Sequence, residues 1–145
     1  MAKDKIKDMK IAQWYSLFFL TLLFIVSTSL RAPVKSLKGV WEYEGGIYNS
    51  KPEGPPKSYR MERRYNAAHY EAFIIQKGTT TEKYEAGDYT ISDSSYQEIQ
   101  TFSSEPSTLV GKKINYVCSV HNDTLTFRGK LFDGTQVEEY WKKIR

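Results

Sequence analysis

Arg63, Glu98 and Glu139 are the residues with which this sequence could do chemistry. Each stands on an alternating run whose same-face neighbours are largely aromatic or apolar. Tyr59, Met61 and Arg63 share one face; Tyr96, Glu98, Gln100 and Phe102 share a second; Val137, Glu139, Trp141 and Lys143 share a third. A charge carried into an apolar interior is costly unless an opposite charge and hydrogen bonds meet it. Arg63 paired with Glu98 or Glu139, and assisted by Tyr116, is such an arrangement. A few convergent polar groups within apolar walls are also how small-molecule pockets orient what they hold. The same pattern fits a purely structural ion pair, or strands slipped by one residue that leave these groups in water. As a catalytic set it supplies only Glu98 or Glu139 as a general base, enough for an isomerase- or cyclase-like reaction and little else. No nucleophile elbow, phosphate loop or His-Asp-Ser set can be read. His69 and His121 fall at hairpin ends without ligand spacing, so no metal and no cofactor is expected.

These groups converge only if the strands carrying them close on one another. Residues 40–44 alternate Trp41 and Tyr43 with Val40, Glu42 and Glu44, the period of a half-buried strand. Residues 45–57, opening on Gly45-Gly46 and rich in proline, read as a long loop, the kind that carries function more often than short ones. Strands follow over 58–65, 69–76, 84–91 (with Gly87 as a bulge), 96–102, 112–120, 124–131 and 136–144. Asn66-Ala67-Ala68, Asn122-Asp123 and Asp133-Gly134 supply the turns. Eight short strands with short connections give an all-β, eight-stranded antiparallel up-and-down barrel, which removes exposed sheet edges. If Trp41 points inward, alternation sends Tyr43, Phe73, Ile75, Tyr89, Tyr96, Tyr116, Phe127 and Leu131 inward as well. The expected ligand contacts are then Phe73, Tyr89 and Phe127 for an apolar body and Arg63, Glu98, Tyr116 and Glu139 for a polar head. So many aromatics also suit a barrel filled by its own side chains, which would make the domain an interaction module acting through its outer surface and the loop at 45–57.

Ahead of the barrel, a lysine-rich start leads into an apolar core, Leu17 to Val26, and then into Ser27-Thr28-Ser29. That order is the pattern of a secretory signal. The uninterrupted apolar run is shorter than the roughly 20 residues of a spanning helix, although counting from Ile11 to Leu30 reaches that length. The expectation is a signal over residues 1–29 cleaved after Ser29, with a retained signal-anchor helix touching the membrane through residues 11–30 as the alternative. Either places the domain outside the cytoplasm, in the periplasm or cell envelope. No cysteine stands at the exit, which excludes lipid anchoring there. The formal net charge is +4, of which the four lysines and two aspartates of residues 1–29 supply +2. A balance so nearly neutral argues against a nucleic-acid partner, which wants a clustered basic face. Cys118, the single cysteine, excludes an internal disulfide and reads as a small buried apolar residue.

Gly39-x-Trp41 at the first strand, the long loop after it and a basic residue on the final strand resemble the lipocalin-like, or calycin, barrels. Gly87-x-Tyr89, Tyr96-x-Glu98, Asn122-Asp123-Thr124-Leu125 and Glu139-x-Trp141-x-Lys143 look more specifically like small lipocalin-like domains exported by bacteria. The likeness spans residues 37–145; the second lipocalin motif and the helix after the last strand are missing. The resemblance implies that Gly39, Trp41 and a cation from Arg145 or Lys143 close the barrel floor. It implies that the first inter-strand loop lids the mouth and that a small amphipathic or lipophilic molecule is bound.

Overall fold

In the computed structural model the described residues are 33–145, and the apolar segment read as an export signal lies outside them. The alternation of Trp41 and Tyr43 with Glu42 and Glu44 forms strand β1 (Gly39–Tyr48), with both aromatics buried. It is followed by β2 (Lys51–Glu53), β3 (Arg60–Tyr65), β4 (His69–Ile75), β5 (Glu82–Ser92), β6 (Ser95–Ser103), β7 (Lys113–His121), β8 (Thr124–Lys130) and β9 (Gln136–Lys143). Every pairing between these strands is antiparallel, and from β3 to β9 each pairs with its sequence neighbour. β1 pairs with β3 on one side and with β9 on the other, from Trp41↔Lys143 to Tyr48↔Val137, so eight strands close into a barrel. The described residues contain no helix.

The ninth strand corrects the sequence reading of residues 45–57. β1 does not stop at Gly45-Gly46. It passes through them to Tyr48, turns at Asn49-Ser50 with both φ angles positive (49° and 68°), and returns as β2. The glycines are there for room. Gly45 has φ +125°, and a Cβ at that position would stand 2.6 Å from the Glu53 carbonyl oxygen of the returning strand. The β1–β9 register shifts between Tyr43 and Gly45, so the bulge also changes which side chains of the upper β1 point inward.

The two ends of the barrel differ. At one end the connections are tight: Asp93-Ser94 between β5 and β6, and Asn122-Asp123 between β7 and β8 with both φ angles positive. Between β3 and β4, Asn66 Oδ1 accepts from the Ala68 and His69 amides at 3.0 and 2.8 Å, the local bond that makes asparagine a turn residue. Residues 33–38 cross this end. Val34 donates its amide to Asp93 at 2.9 Å, and Leu37 is buried beneath Trp41, whose Nε1 donates to the Leu37 carbonyl at 2.8 Å. Trp41 is 1% exposed and forms the floor. Gly39 has φ +130°, and a Cβ there would strike the Arg145 carbonyl oxygen; that carbonyl accepts from Val40 at 2.8 Å. Arg145 thus closes the floor with its backbone. The cation over the Trp41 ring is Lys143, with Nζ 5.5 Å from the centroid, while the Arg145 side chain reaches outward to Glu62 at 3.8 Å.

Above the floor the interior is filled by aromatic rings. Tyr65 meets Tyr89 edge-on at 5.2 Å, Tyr89 stacks on Tyr96 at 5.5 Å, and Tyr96 packs on Phe127 at 4.6 Å. Such pairs contribute about 0.5–1.5 kcal/mol each beyond the area they bury. Phe73 and Ile75 are not among them, which corrects the expected inward set. The inward residues of β4 are Tyr70 and Ala72, and Phe73 lies opposite Glu62 on the outer face, beneath the Arg64 guanidinium at 4.2 Å. Three consecutive apolar residues, Phe73-Ile74-Ile75, give alternation nothing to discriminate. What settles the parity is Ala72, fully buried opposite Arg63 and small enough to leave space for that side chain.

Candidate functional site

β3 carries Met61, Arg63 and Tyr65 on its inward face, and Arg63 is 8% exposed. Its guanidinium is the centre of the upper interior. Nη1 donates to Glu98 Oε2 and to the Tyr65 hydroxyl, each at 3.3 Å, and Nη2 donates to Glu85 Oε1 at 3.0 Å. The ring of Tyr70 lies 4.7 Å from the guanidinium carbon and that of Trp141 5.2 Å, so the cation is also walled by π faces. Both carboxylates have further donors: the Tyr70 hydroxyl bonds Glu85 at 2.7 Å and the Tyr96 hydroxyl bonds Glu98 at 2.9 Å. Glu139 sits beside this group on β9. It accepts from the Tyr48 hydroxyl and from Trp141 Nε1, each at 3.0 Å, and Tyr48 in turn meets the Tyr43 hydroxyl at 3.0 Å.

The electrostatics follow from burial. The Glu98 carboxyl is raised above the ordinary carboxylate range because burial outweighs the pull of Arg63. Burial also works against the Arg63 charge, yet Tyr65, Glu98 and Glu85 around it more than compensate and hold its pKa well above the usual value. Burial pushes the Tyr65 hydroxyl up to about 12, with Arg63 opposing, and raises Tyr70, Tyr96 and Tyr116 as well. These phenols are therefore donors at neutral pH, never bases. Among the described residues, one buried side-chain polar atom finds no partner, and it is Arg63 Nε.

The network borders two spaces that share lining residues. An inner cavity of about 120 Å³ is lined by Arg63, Glu85, Glu98, Tyr116 and Glu139 on its polar side and by Leu109, Ile114, Leu131 and Val137 on its apolar side. A mouth cleft of about 350 Å³ shares Tyr48, Arg63, Glu85 and Glu139 with it and extends to Tyr43, Glu53, Tyr59, Met61, Tyr84 and Trp141. A larger depression of about 510 Å³ lies around Asn66, His69 and Asp88 and is bordered by Tyr65 and Tyr70, but by neither Arg63 nor the carboxylates it pairs with. The His69–Asp88 pair there is exposed.

Of the sequence-predicted contacts, the structure brings Arg63, Glu98, Tyr116 and Glu139 to one cavity wall. Tyr89 and Phe127 are inside but belong to the packed layer below; Tyr89 spends its hydroxyl on the Asn66 carbonyl at 2.6 Å, toward the closed end. Neither borders the two spaces, and Phe73 is outside altogether. Sequence reasoning leaves out Glu85, although it shares with Gly87 and Tyr89 the inward alternation of β5 and lies opposite Ala72. It leaves out Tyr48 because the strand extension beyond Gly45-Gly46 is invisible to a pattern that treats glycine pairs as loop. Cys118 is buried, and burial pushes its thiol up to about 11.

No family model matches this sequence, and none of the curated proteins matches it. Solved structures do. An uncharacterised protein from Bacteroides eggerthii superimposes with a TM-score of 0.54 at 12% identity, over 75% of this chain and 100% of that one. A lipocalin-like protein from Bacteroides uniformis superimposes with a TM-score of 0.52 at 15% identity, over 74% of this chain and 98% of that one. At such identities the likeness is one of fold. With the closed eight-stranded barrel and the Trp41 floor, it makes the architecture of this chain lipocalin-like.

Proposed function

We propose that this chain is an exported barrel that binds one small amphipathic molecule at its open end, in the bacterial cell envelope, without transforming it. The observation that carries this reading is the meeting of two spaces on one charged network: the inner cavity and the mouth cleft share Arg63, Glu85 and Glu139. The inner cavity, about 120 Å³, has room for about four waters at ~30 Å³ each, which suits a polar head group and not a whole ligand. The mouth cleft, about 350 Å³, falls within the usual ~300–1,000 Å³ of small-molecule sites. Tyr43, Tyr59, Met61, Tyr84 and Trp141 there offer the apolar contact that Phe73, Tyr89 and Phe127 do not. The polar groups are held by hydrogen bonds before any ligand arrives, so little ordering cost falls on binding.

Native mass spectrometry of the protein from an exporting host tests both halves of the proposal. Export predicts a chain beginning near Leu30, or a full-length membrane-bound chain if the segment is retained; a full-length product in the soluble cytoplasm would overturn it. Binding predicts a co-purifying small molecule, or saturable enhancement of an apolar dye. Absence of both would favour the second reading, an interaction module. That reading has an observation of its own: Phe132 (60% exposed) and Val110 (46%) are exposed apolar residues on the β8–β9 and β6–β7 connections.

A further inference from the structure

We infer that the molecule accepted by this barrel carries a positive charge, as an organic ammonium whose nitrogen sits between Glu139 and the aromatic wall of the mouth. This rests on the binding reading above and names its ligand class. The two neighbouring spaces are lined by four carboxylates, Glu53, Glu85, Glu98 and Glu139, and by one cation, Arg63; no lysine or second arginine borders either. Arg63 is committed to Glu98 and Glu85. Glu139 has only neutral donors, Tyr48 and Trp141, and no cation within ion-pair distance among the described residues.

The charge balance is negative even with Glu98 protonated, since Arg63 then matches Glu85 and leaves Glu139 unopposed. A carboxylate at the edge of an apolar space, with its charge unmatched, favours a cationic guest and rejects an anionic one. The walls point the same way. Tyr43, Tyr48, Tyr59, Tyr84 and Trp141 present rings around the mouth, and ring faces attract ammonium ions. The cluster also has a donor to spare, because Arg63, more than nine-tenths buried and bordering both spaces, has no acceptor for Nε among the described residues. An oxygen close to the ammonium, on the ligand or on a water it holds, would complete it.

The test is a matched series of water-soluble probes on the full-length chain in dilute non-ionic detergent: phenethylammonium, phenethyl alcohol and 3-phenylpropanoate. Binding is followed by calorimetry and by tryptophan emission. Phenethylammonium is expected to bind at least about tenfold more tightly than the alcohol, the factor that about 1.4 kcal/mol represents, and the carboxylate not to saturate. Glu139→Gln, which keeps the shape and one acceptor, should bring the affinities for ammonium and alcohol together. Glu53→Gln at the exposed rim should reduce the preference less. Equal affinity for alcohol and ammonium, or tighter binding of the carboxylate, would overturn the inference while leaving the pocket in place. Failure of all three probes to bind saturably would overturn the pocket reading itself.

Discussion

Replacing Arg63 by methionine keeps an unbranched side chain in the same space and removes the only charge among the described residues that opposes Glu85 and Glu98. The guanidinium gives up three hydrogen bonds, to Tyr65, Glu98 and Glu85, and its contacts with the Tyr70 and Trp141 faces. Breaking one side of a buried ion pair costs about 3–5 kcal/mol, chiefly because the partner is left charged and dry. For a domain of this size that corresponds to a melting temperature lower by roughly 10–20 °C. Urea denaturation of Arg63→Met, Glu98→Leu and the double variant would separate the pair from its surroundings. The double variant should lose much less than the sum, since replacing both partners by apolar groups is often close to neutral. The deficit of the single Arg63 variant should also shrink on acidification. Without Arg63, no cation among the described residues opposes the burial that already raises Glu98. A carboxyl whose folded pKa is raised contributes stability that is complete below its unfolded value and is lost as pH rises through the folded one. The variant therefore recovers part of its deficit as pH is lowered. A single variant that loses less than about 1 kcal/mol, as exposed pairs do, or a double variant that loses the full sum, would refute the view of Arg63 as the centre of a dry network.

Trp41→Ala should destabilise by about 3–5 kcal/mol in the same urea assay, because it empties the floor beneath Tyr43 and above Leu37 and removes the bond to the Leu37 carbonyl. An unchanged denaturation midpoint would contradict its placement. Cys118 is buried with its thiol raised to about 11, so a maleimide should leave it unmodified at pH 7 in the folded protein and react once urea unfolds the chain. Rapid labelling of the folded protein would mean that β7 is not packed as described.

The strands were readable because nearly every connection carries its own chemistry. Asn122-Asp123 and Asn66 place turns, and Trp41, Tyr96 and Trp141 announce the buried parity of their strands. Reading failed where a bulge reset that parity or where the pattern held no contrast. Gly45-Gly46 looks like loop in sequence, yet serves as a bend inside β1 that turns Tyr48 toward Glu139. Phe73-Ile74-Ile75 offers equal hydrophobicity at both parities, and the decision falls to the small Ala72 across from Arg63. For the site, alternation alone located Arg63, Glu98, Tyr116 and Glu139. Their depth was not legible: nothing in a strand's period says that Tyr89 and Phe127 lie in a filled layer while Tyr116 borders open space. Nor does it say whether Lys143 or Arg145 covers Trp41, since that depends on how the last residues turn around Val40.

The seam between β1 and β9 has a consequence in time. Apart from β1–β3, which spans the β2 excursion, every other ladder of the barrel joins strands adjacent in sequence, so it can form by local closure. The β1–β9 ladder must instead bring together the two most distant strands, and such non-local pairings are slow because their loop entropy is spent before any contact repays it. Until then β1 and β9 are open edges, the exposed state in which strands recruit the wrong partners. Two tryptophans mark this seam, Trp41 opposite Lys143 and Trp141 opposite Tyr43. Trp141 also lies in the β8–β9 hairpin opposite Leu125, and Trp41 in the β1–β3 ladder opposite Arg63, so their emission reports these ladders together with the joining of the cylinder. An open sheet of correct strands would already have most of its backbone bonds, but neither a floor nor a pocket.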